Sequence, residues 1–169
     1  MTETRVSELL MQIPVLAGAT RVTPLGGLTN RNYRIDTSMS RYVMRVSNPE
    51  TSLLGINRHY ERINTERACR AGVGAAIVDA LPQENVLVMS WIEARTLHAE
   101  NLREEPELLP RIADSLRMLH AGPKFEGEFY FPSVRKNYLN TVQSNGYFLP
   151  ENYLIVEPLV CGLEEMLAS

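Results

Sequence analysis

Short segments of alternating apolar and polar residues dominate the first half of the chain. Apolar side chains occupy every second position of residues 32–36 and again of residues 41–46. Alternation of this kind predicts β-strands with one buried face. The polar connection between them, Asp36-Thr-Ser-Met-Ser, is short, so the two strands are predicted to form a hairpin. A first strand is predicted near residues 21–25 and a helix near residues 5–13.

The pattern changes to helical spacing at residues 56–71, where apolar residues recur every three or four positions among many charges. Asn57 is a suitable N-cap for this helix, and Gly72 is a suitable residue to end it. Two further apolar runs follow at residues 75–81 and 85–90, and the short polar break between them predicts a second hairpin.

Strand signals largely stop after Glu93, and helical periodicity takes over. The predicted helices lie at residues 97–102, 106–120, 134–142 and 152–167, the last of them interrupted near Pro158. This change predicts two parts, residues 1–93 and residues 94–169, with the boundary near Glu93.

The composition excludes several classes of protein. The 169 residues are 44% hydrophobic and 22% charged, which is typical of a soluble globular protein. The net charge of −3 offers no basic surface for nucleic acid. No apolar run approaches the roughly 18–20 residues of a membrane span, the N-terminus lacks a signal-peptide pattern, and the two cysteines, Cys69 and Cys161, suggest neither a disulfide framework nor a metal site. We therefore expect a cytoplasmic protein.

Gly26 and Gly27 open the turn between the first two predicted strands, and Thr29 and Asn30 follow them. Adjacent glycines allow positive φ and a close approach of the backbone, and successive N–H groups in such a turn can cradle an anion. The pattern therefore indicates a loop that covers a nucleotide, although the same glycines also fit an ordinary hairpin turn.

A phosphate-binding cation in this part of the chain must be an arginine, because no lysine precedes Lys124. The same fact excludes a P-loop of the Gly-Lys-Ser/Thr type. Arg45 lies between Met44 and Val46 in the alternating strand and therefore projects from the opposite face, where its guanidinium could bind phosphate oxygens in bidentate fashion. The alternative is a charge on an edge strand that points into solvent.

Taken in order, these features resemble the choline kinase and aminoglycoside phosphotransferase superfamily, nearest to the bacterial choline kinase type. The matching motifs are Gly26-Gly-Leu-Thr-Asn30-Arg-Asn32-Tyr, Tyr42-Val-Met-Arg45-Val, Asn57-Arg58-x-x-Glu61-x-x-Asn64, Gly72-Val-Gly74, Leu87-Val-Met-Ser-Trp-Ile-Glu-Ala-Arg-Thr-Leu97, Leu116-Arg-Met-Leu119-His120 and Phe125-x-Gly127-x-Phe129. The resemblance implies an α+β, protein-kinase-like fold. In such a fold, residues 1–93 would form an N-terminal nucleotide-binding lobe with a five-stranded antiparallel sheet and one helix. Residues 94–169 would form the first helices of an incomplete helical C-terminal lobe.

The resemblance also implies an ATP-dependent kinase that phosphorylates choline or a related amino alcohol, with Mg²⁺ as a second cofactor. The implied nucleotide-binding residues are Gly26, Gly27, Leu28, Thr29, Asn30, Asn32, Arg45, Glu61, Ser90, Trp91 and Ile92. Within this set, Glu61 would orient Arg45 through an ion pair, and Glu66 on the same helix is a competing candidate. Backbone groups of a hinge at residues 90–92 would hydrogen-bond the adenine.

One departure from the family pattern concerns catalysis. The family's catalytic loop contains His-x-Asp followed by an Asn, and none of His59, His98 and His120 precedes such an Asp. We therefore expect no catalytic residue and no metal ligand in this chain. The chain is interpreted as an N-terminal piece of a kinase whose catalytic loop and Mg²⁺ ligands lie beyond Ser169. His120, at the end of an apolar helix, is interpreted as a structural residue.

The sequence leaves the acceptor and the class of function open. Trp91, Tyr130 and Tyr138 could form part of an aromatic cage for a quaternary ammonium group, but Trp91 could equally cap the core between the lobes. An aminoglycoside or another small alcohol is an alternative acceptor. A non-catalytic, kinase-like binding module is the alternative from another class, and the sequence predicts no oligomeric state.

Overall fold

A computed structural model describes residues 3–27, 29–48, 53 and 55–168, without the side chain of Ala168. The helices are α1 (Glu3–Gln12), α2 (Arg58–Arg70), α3 (Ala99–Glu104), α4 (Leu108–Ala121), α5 (Phe131–Ser144) and α6 (Glu151–Ala168). The strands are β1 (Ala19–Leu25), β2 (Asn30–Thr37), β3 (Arg41–Ser47), β4 (Ile77–Leu81) and β5 (Val86–Ser90). The order and type of these elements agree with the sequence prediction.

The five strands form one antiparallel sheet in the order β1-β2-β3-β5-β4. Two hairpins build most of it, β2–β3 and β4–β5, as the sequence predicts. The second hairpin turns through a short 3-10 segment, Pro82–Glu84, followed by Asn85 in the left-handed conformation. The predicted five-stranded antiparallel sheet with one helix between its third and fourth strands is therefore confirmed.

The apolar face of the sheet packs against the N-terminal helix and the turn that follows it. The most completely buried side chains are Leu9, Ile13, Leu16, Ile35, Met44, Val86 and Val88. Alternation along β2 and β3 explains this set, since every second residue of each strand faces the same side. Burial of one such side chain is worth about 1.5–3 kcal/mol, so this layer fixes the face of each strand.

Helix α2 has well-defined ends. The side chain of Asn57 accepts a hydrogen bond from the N–H of Tyr60 at 3.1 Å, so the predicted N-cap is confirmed. At the other end, Gly72 adopts a φ of +79°, and the N–H groups of Gly72 and Val73 donate to the carbonyls of Cys69 and Ala68. This is a Schellman motif, which requires a residue without a Cβ penalty at Gly72.

The chain divides into two compact units, one of Met1–Thr51 with Ile56–Glu126 and the other of Ser52–Gly55 with Gly127–Ser169. The sheet, α2, α3 and α4 belong to the first unit, and α5 and α6 belong to the second. The predicted functional boundary near Glu93 is a different kind of division, and it stays a prediction.

In the second unit, Arg135 of α5 ties together two carboxylates of α6. Its guanidinium bonds Glu157 at 2.6 Å and Glu164 at 2.8 Å, and its hydrogen bonds lower the pKa of Glu164. These two carboxylates flank Pro158, and α6 runs through that proline without interruption. The predicted break near Pro158 is therefore wrong, because one arginine holds the helix on both sides of the missing N–H.

Apolar side chains beyond α4 are largely exposed. Among the described residues, none after Leu108 is buried, and Phe148 and Ile155 are 86% and 70% exposed. Within the part of the chain that the structure describes, no helix is both long enough and apolar enough to cross a membrane.

Candidate nucleotide-binding site

The face of the sheet opposite the apolar core carries the predicted polar site residues. Asn32 on β2 is the direct partner of Arg45 on β3, and Arg45 in turn is the partner of Leu87 on β5. Tyr33 and Met44, the neighbouring pair, lie on the buried face. Because neighbouring residues of a strand face opposite sides, the register alone places Asn32 and Arg45 together on the polar side.

The glycine loop lies against β2. The side-chain amide of Asn32 donates to the carbonyl of Gly26 at 3.1 Å. A Cβ on Gly27 would lie 2.8 Å from Asn32 Nδ2 and still closer to the carbonyl oxygen of Asn30, so only glycine fits there. Neither glycine has a positive φ, so that part of the expectation is wrong and close approach is the reason for Gly27. Leu28 lies outside the described residues, and Thr29 occupies the bend before β2.

Arg45 and Glu61 meet across the space between β3 and α2. Arg45 Nη1 lies 3.4 Å from Glu61 Oε1, and both side chains are partly buried. The competing candidate, Glu66, pairs with Arg62 one turn along the helix at 2.7 Å. The predicted contact between Arg45 and Glu61 is therefore present, while the role of this pair in nucleotide binding stays a prediction.

Arg45 uses only part of its hydrogen-bonding capacity. Its Nε atom is buried and has no hydrogen-bond partner among the described residues, and the same holds for Asn32 Oδ1. Its contact with Glu61 is at the long limit of a hydrogen bond. A guanidinium has five N–H donors, so this arrangement leaves Arg45 able to bind an anion.

A cavity of about 590 Å³ lies next to this pair, between the sheet, α2 and the segment that follows β5. Its apolar wall includes Val43, Ala75 and Met89, and Arg45 and Glu61 line its charged side. A site with apolar walls and a few polar groups is typical of small-molecule pockets.

Two of the three N–H groups in the predicted hinge form backbone hydrogen bonds. The N–H of Ser90 donates to the carbonyl of Ala76 at 2.9 Å, and the N–H of Trp91 donates to the carbonyl of Arg41 at 3.2 Å. Within the described part of the chain, the N–H of Ile92 has no partner. Of the three N–H groups of the predicted hinge, that of Ile92 is therefore the one left without a partner among the described residues, and the role of the hinge in adenine binding stays a prediction.

The indole of Trp91 has its own intramolecular partner. The guanidinium carbon of Arg34 lies 5.0 Å above the centroid of this ring, a cation–π geometry. Trp91 also contributes to the cavity wall. Tyr130 and Tyr138, the other members of the predicted aromatic cage, belong to the second unit, so the cage stays a prediction.

A clamp joins α2 to the segment that follows α4. The side chain of Asn64 donates to the carbonyl of Glu126 at 3.0 Å and accepts from the N–H of Glu126 at 2.8 Å. Arg67 bonds the Glu126 carboxylate at 2.6 Å and also the carbonyl of Lys124. Phe125 lies between these anchored residues and lines the cavity. Asn64 and Phe125 lie within motifs of the family, but the sequence alone indicates no role for either residue.

Each of the three aspartates of the chain contacts a residue that is close to it in the sequence. Asp36 pairs with Arg34 at 2.8 Å, Asp114 pairs with Arg117 at 2.6 Å, and the Asp79 side chain accepts from the N–H of Ala80. Among the described residues, no group of three or more His, Cys, Asp and Glu side chains could hold a metal ion. The donor set of the described residues therefore does not fit Mg²⁺.

The fold matches that of phosphotransferases. A family model for the phosphotransferase enzyme family matches residues 21–154, and the chain belongs to that family. Over 112 residues, it is 30% identical to the protein LicA of Haemophilus influenzae. The matched segment covers 65% of this chain and 31% of that protein.

Solved structures give the same assignment. The choline kinase LicA from Streptococcus pneumoniae is 25% identical, with a TM-score of 0.82 over 98% of this chain and 58% of that one. A choline/ethanolamine kinase family protein from Mesorhizobium loti is 28% identical, with a TM-score of 0.78 over 99% of this chain and 54% of that one. A structure of LicA in complex with AMP is 26% identical, with a TM-score of 0.68 over 98% of this chain and 55% of that one.

These relatives confirm the predicted family and the kinase-like fold. The chain spans just over half the length of the kinases in the solved structures and about a third of the curated relative.

The clamp on α2 gives a first testable prediction. Asn64→Ala removes the partners of both backbone groups of Glu126, and we expect a loss of about 1 kcal/mol in the free energy of unfolding. Urea unfolding followed by circular dichroism measures it. Arg70→Ala, at an exposed position of the same helix, is the control. Equal stability of the two variants would show that the clamp contributes nothing.

Proposed function

We propose that this chain forms the nucleotide-binding part of an ATP-dependent kinase that phosphorylates choline or a related amino alcohol. The family and the names of the similar kinases support this proposal. The observation that carries it is the Arg45–Glu61 pair, which lies beside the cavity. Arg45 is also the cross-strand partner of Asn32, whose side chain bonds the glycine loop.

In this proposal, the loop from Gly26 to Asn30 covers the phosphates of ATP, and its N–H groups donate to their oxygens. Arg45 binds phosphate oxygens, and Glu61 keeps its guanidinium on the cavity side. The adenine lies against the apolar wall of the cavity and accepts a hydrogen bond from the N–H of Ile92. The similarity to a LicA that was solved in complex with AMP supports a nucleotide as the ligand.

Catalysis needs groups that this chain does not carry in a recognisable form. Phosphoryl transfer depends on positioned metal ions and on a residue that orients the attacking hydroxyl. The sequence contains no His-x-Asp, and the chain spans 54–58% of the similar kinase structures. We therefore place the catalytic aspartate and the Mg²⁺ ligands outside residues 1–169. The complete kinase would act in the cytoplasm, where Mg²⁺ and ATP are available.

The acceptor rests on weaker support than the nucleotide. Choline is supported by the names of the relatives, and the aromatic side chains of Trp91, Tyr130 and Tyr138 are suited to a quaternary ammonium group. An aminoglycoside or another small alcohol is the alternative acceptor within the same family. A kinase-like module that binds nucleotide without catalysis is the alternative from another class, favoured by the lack of a His-x-Asp motif.

The role of Arg45 can be tested by comparing ATP with adenosine. We expect Arg45→Ala to weaken ATP binding at least tenfold, about 1.4 kcal/mol, and adenosine binding less than twofold. Arg45→Lys should recover only part of the loss, because a point charge does not reproduce the guanidinium fork. Calorimetric titration measures both affinities, with Arg21→Ala on an exposed position of β1 as the control. An unchanged ratio of the two affinities would refute the phosphate-binding assignment.

The hinge assignment makes a different prediction. Ile92→Pro removes the one hinge N–H without a partner among the described residues, whereas Ile92→Ala keeps it. We expect the proline variant to lose affinity for adenosine and for ATP by a similar factor, about fivefold or more, because the adenine is common to both. The alanine variant should stay within twofold of the parent. Equal behaviour of the two variants would mean that this N–H does not bind the base.

The chain of 169 residues should not turn over by itself. We expect purified chain with Mg²⁺-ATP and choline to form no phosphocholine above the rate without protein, because no residue occupies a His-x-Asp setting. Phosphocholine is measured by chromatography. Sustained turnover that is abolished by alanine at Asp36, Asp79 or Asp114 would contradict the placement of the catalytic groups outside this chain.

A further inference from the structure

Glu61 is shared by two arginines at unequal distances. Its Oε2 atom accepts from Arg58 Nη1 at 2.7 Å, while its Oε1 atom lies 3.4 Å from Arg45 Nη1. Arg58 and Glu61 are three residues apart on α2, so the tighter contact lies within the helix and the looser one reaches the sheet. The carboxylate is therefore held mainly by Arg58.

Arg58 also reaches the glycine loop. Its Nη1 atom lies 3.4 Å from the side-chain oxygen of Asn30, the first residue of β2 after that loop. One guanidinium thus contacts the loop side of the sheet and the carboxylate on the helix. The side chains of Arg58 and Glu61 are only 24% and 19% exposed.

Another arginine–carboxylate pair at the same helical spacing shows why this one differs. Asp114 and Arg117 form a pair of similar length, but their side chains are 67% and 76% exposed. Exposed pairs of this kind contribute a few tenths of a kcal/mol and position nothing. Arg58 combines partial burial, a second contact on another element, and a carboxylate that also faces Arg45.

The physical effect of Arg58 follows from charge. A carboxylate with one cation would draw that cation into a close bidentate pair, and Arg45 would then have fewer N–H groups for a phosphate. With Arg58 on one oxygen, the negative charge that acts on Arg45 is smaller. Arg45 accordingly stays at the long limit of a hydrogen bond, with a buried Nε that lacks a partner among the described residues.

We propose that Arg58 is a positioning residue of the nucleotide site. It neutralises one oxygen of Glu61 so that Arg45 stays available to phosphate, and it holds Asn30 so that the glycine loop keeps its place relative to α2. Arg58 itself does not touch the nucleotide in this proposal. The inference rests on the proposed function, since it assigns Arg58 a role in the same site.

The test compares ATP with adenosine in the full 169-residue chain by calorimetric titration. We expect Arg58→Ala to weaken ATP at least fivefold and adenosine less than twofold, and Arg58→Lys to give an intermediate loss. The matched control is Arg62→Ala, the next arginine on α2, whose pair with Glu66 has the same 2.7 Å length. We expect this control to change neither affinity. A ratio of ATP to adenosine affinity in Arg58→Ala that stays within twofold of the parent overturns the proposal.

A double variant tests whether Arg58 acts through Arg45. In Arg45→Ala/Arg58→Ala, the loss of ATP affinity should be smaller than the product of the two single losses, because the second change removes an effect that is already absent. A loss equal to the product would overturn this route. Circular dichroism checks the fold of each variant, and if Arg58→Ala does not fold, Arg58→Lys carries the comparison.

The outcomes separate this inference from the proposed function. A parent chain that binds neither ATP nor adenosine contradicts the proposed function, and this inference falls with it. A parent that binds ATP, together with an Arg58 variant that binds it equally well, contradicts only the role of Arg58.

Discussion

The antiparallel register of β3 between β2 and β5 is the constraint on which the candidate site depends. It pairs Arg45 with Asn32 on one side and with Leu87 on the other, while Met44 is held in the buried layer on the opposite face. A shift of one residue would turn Arg45 into the core and expose Met44. Burial of one row of apolar side chains therefore determines on which face of the sheet the Arg45 guanidinium lies.

Helix α2 supplies the other half of the site, and its position is determined at several points. Asn57 caps its first turn, Gly72 ends it, and Asn64 and Arg67 fasten it to the segment around Glu126. Each of these contacts is modest in free energy, but together they decide where the Glu61 carboxylate lies. The position of Glu61 relative to Arg45 therefore depends on contacts along the whole length of the helix.

The sequence was sufficient for features that depend on local pattern or on charge alone. Alternation gave the strands and their buried faces, the Asn57 and Gly72 signals gave the ends of α2, and the motif order gave the family and the partner of Arg45. Long-range contacts were not predictable in the same way. The hydrogen bond from the Asn64 side chain to the Glu126 backbone spans 62 residues. The hydrogen bond from the Trp91 N–H to the carbonyl of Arg41 depends on the pairing of two strands that are far apart in the sequence. Pro158 was misjudged because the effect of Arg135 on α6 is tertiary.

The all-arginine character of the site has a consequence for its chemistry in solution. A lysine beside a second cation readily loses its proton as its pKa falls, whereas a guanidinium stays charged throughout the range in which proteins are folded. Arg45 and Arg58, which both contact the Glu61 carboxylate, are guanidinium groups of this kind. The chain's only lysines are Lys124 and Lys136, so reagents that acylate amines have no side chain to modify at the Arg45–Glu61–Arg58 cluster. Reagents that condense with guanidinium groups, such as vicinal dicarbonyls, are the ones that would modify it.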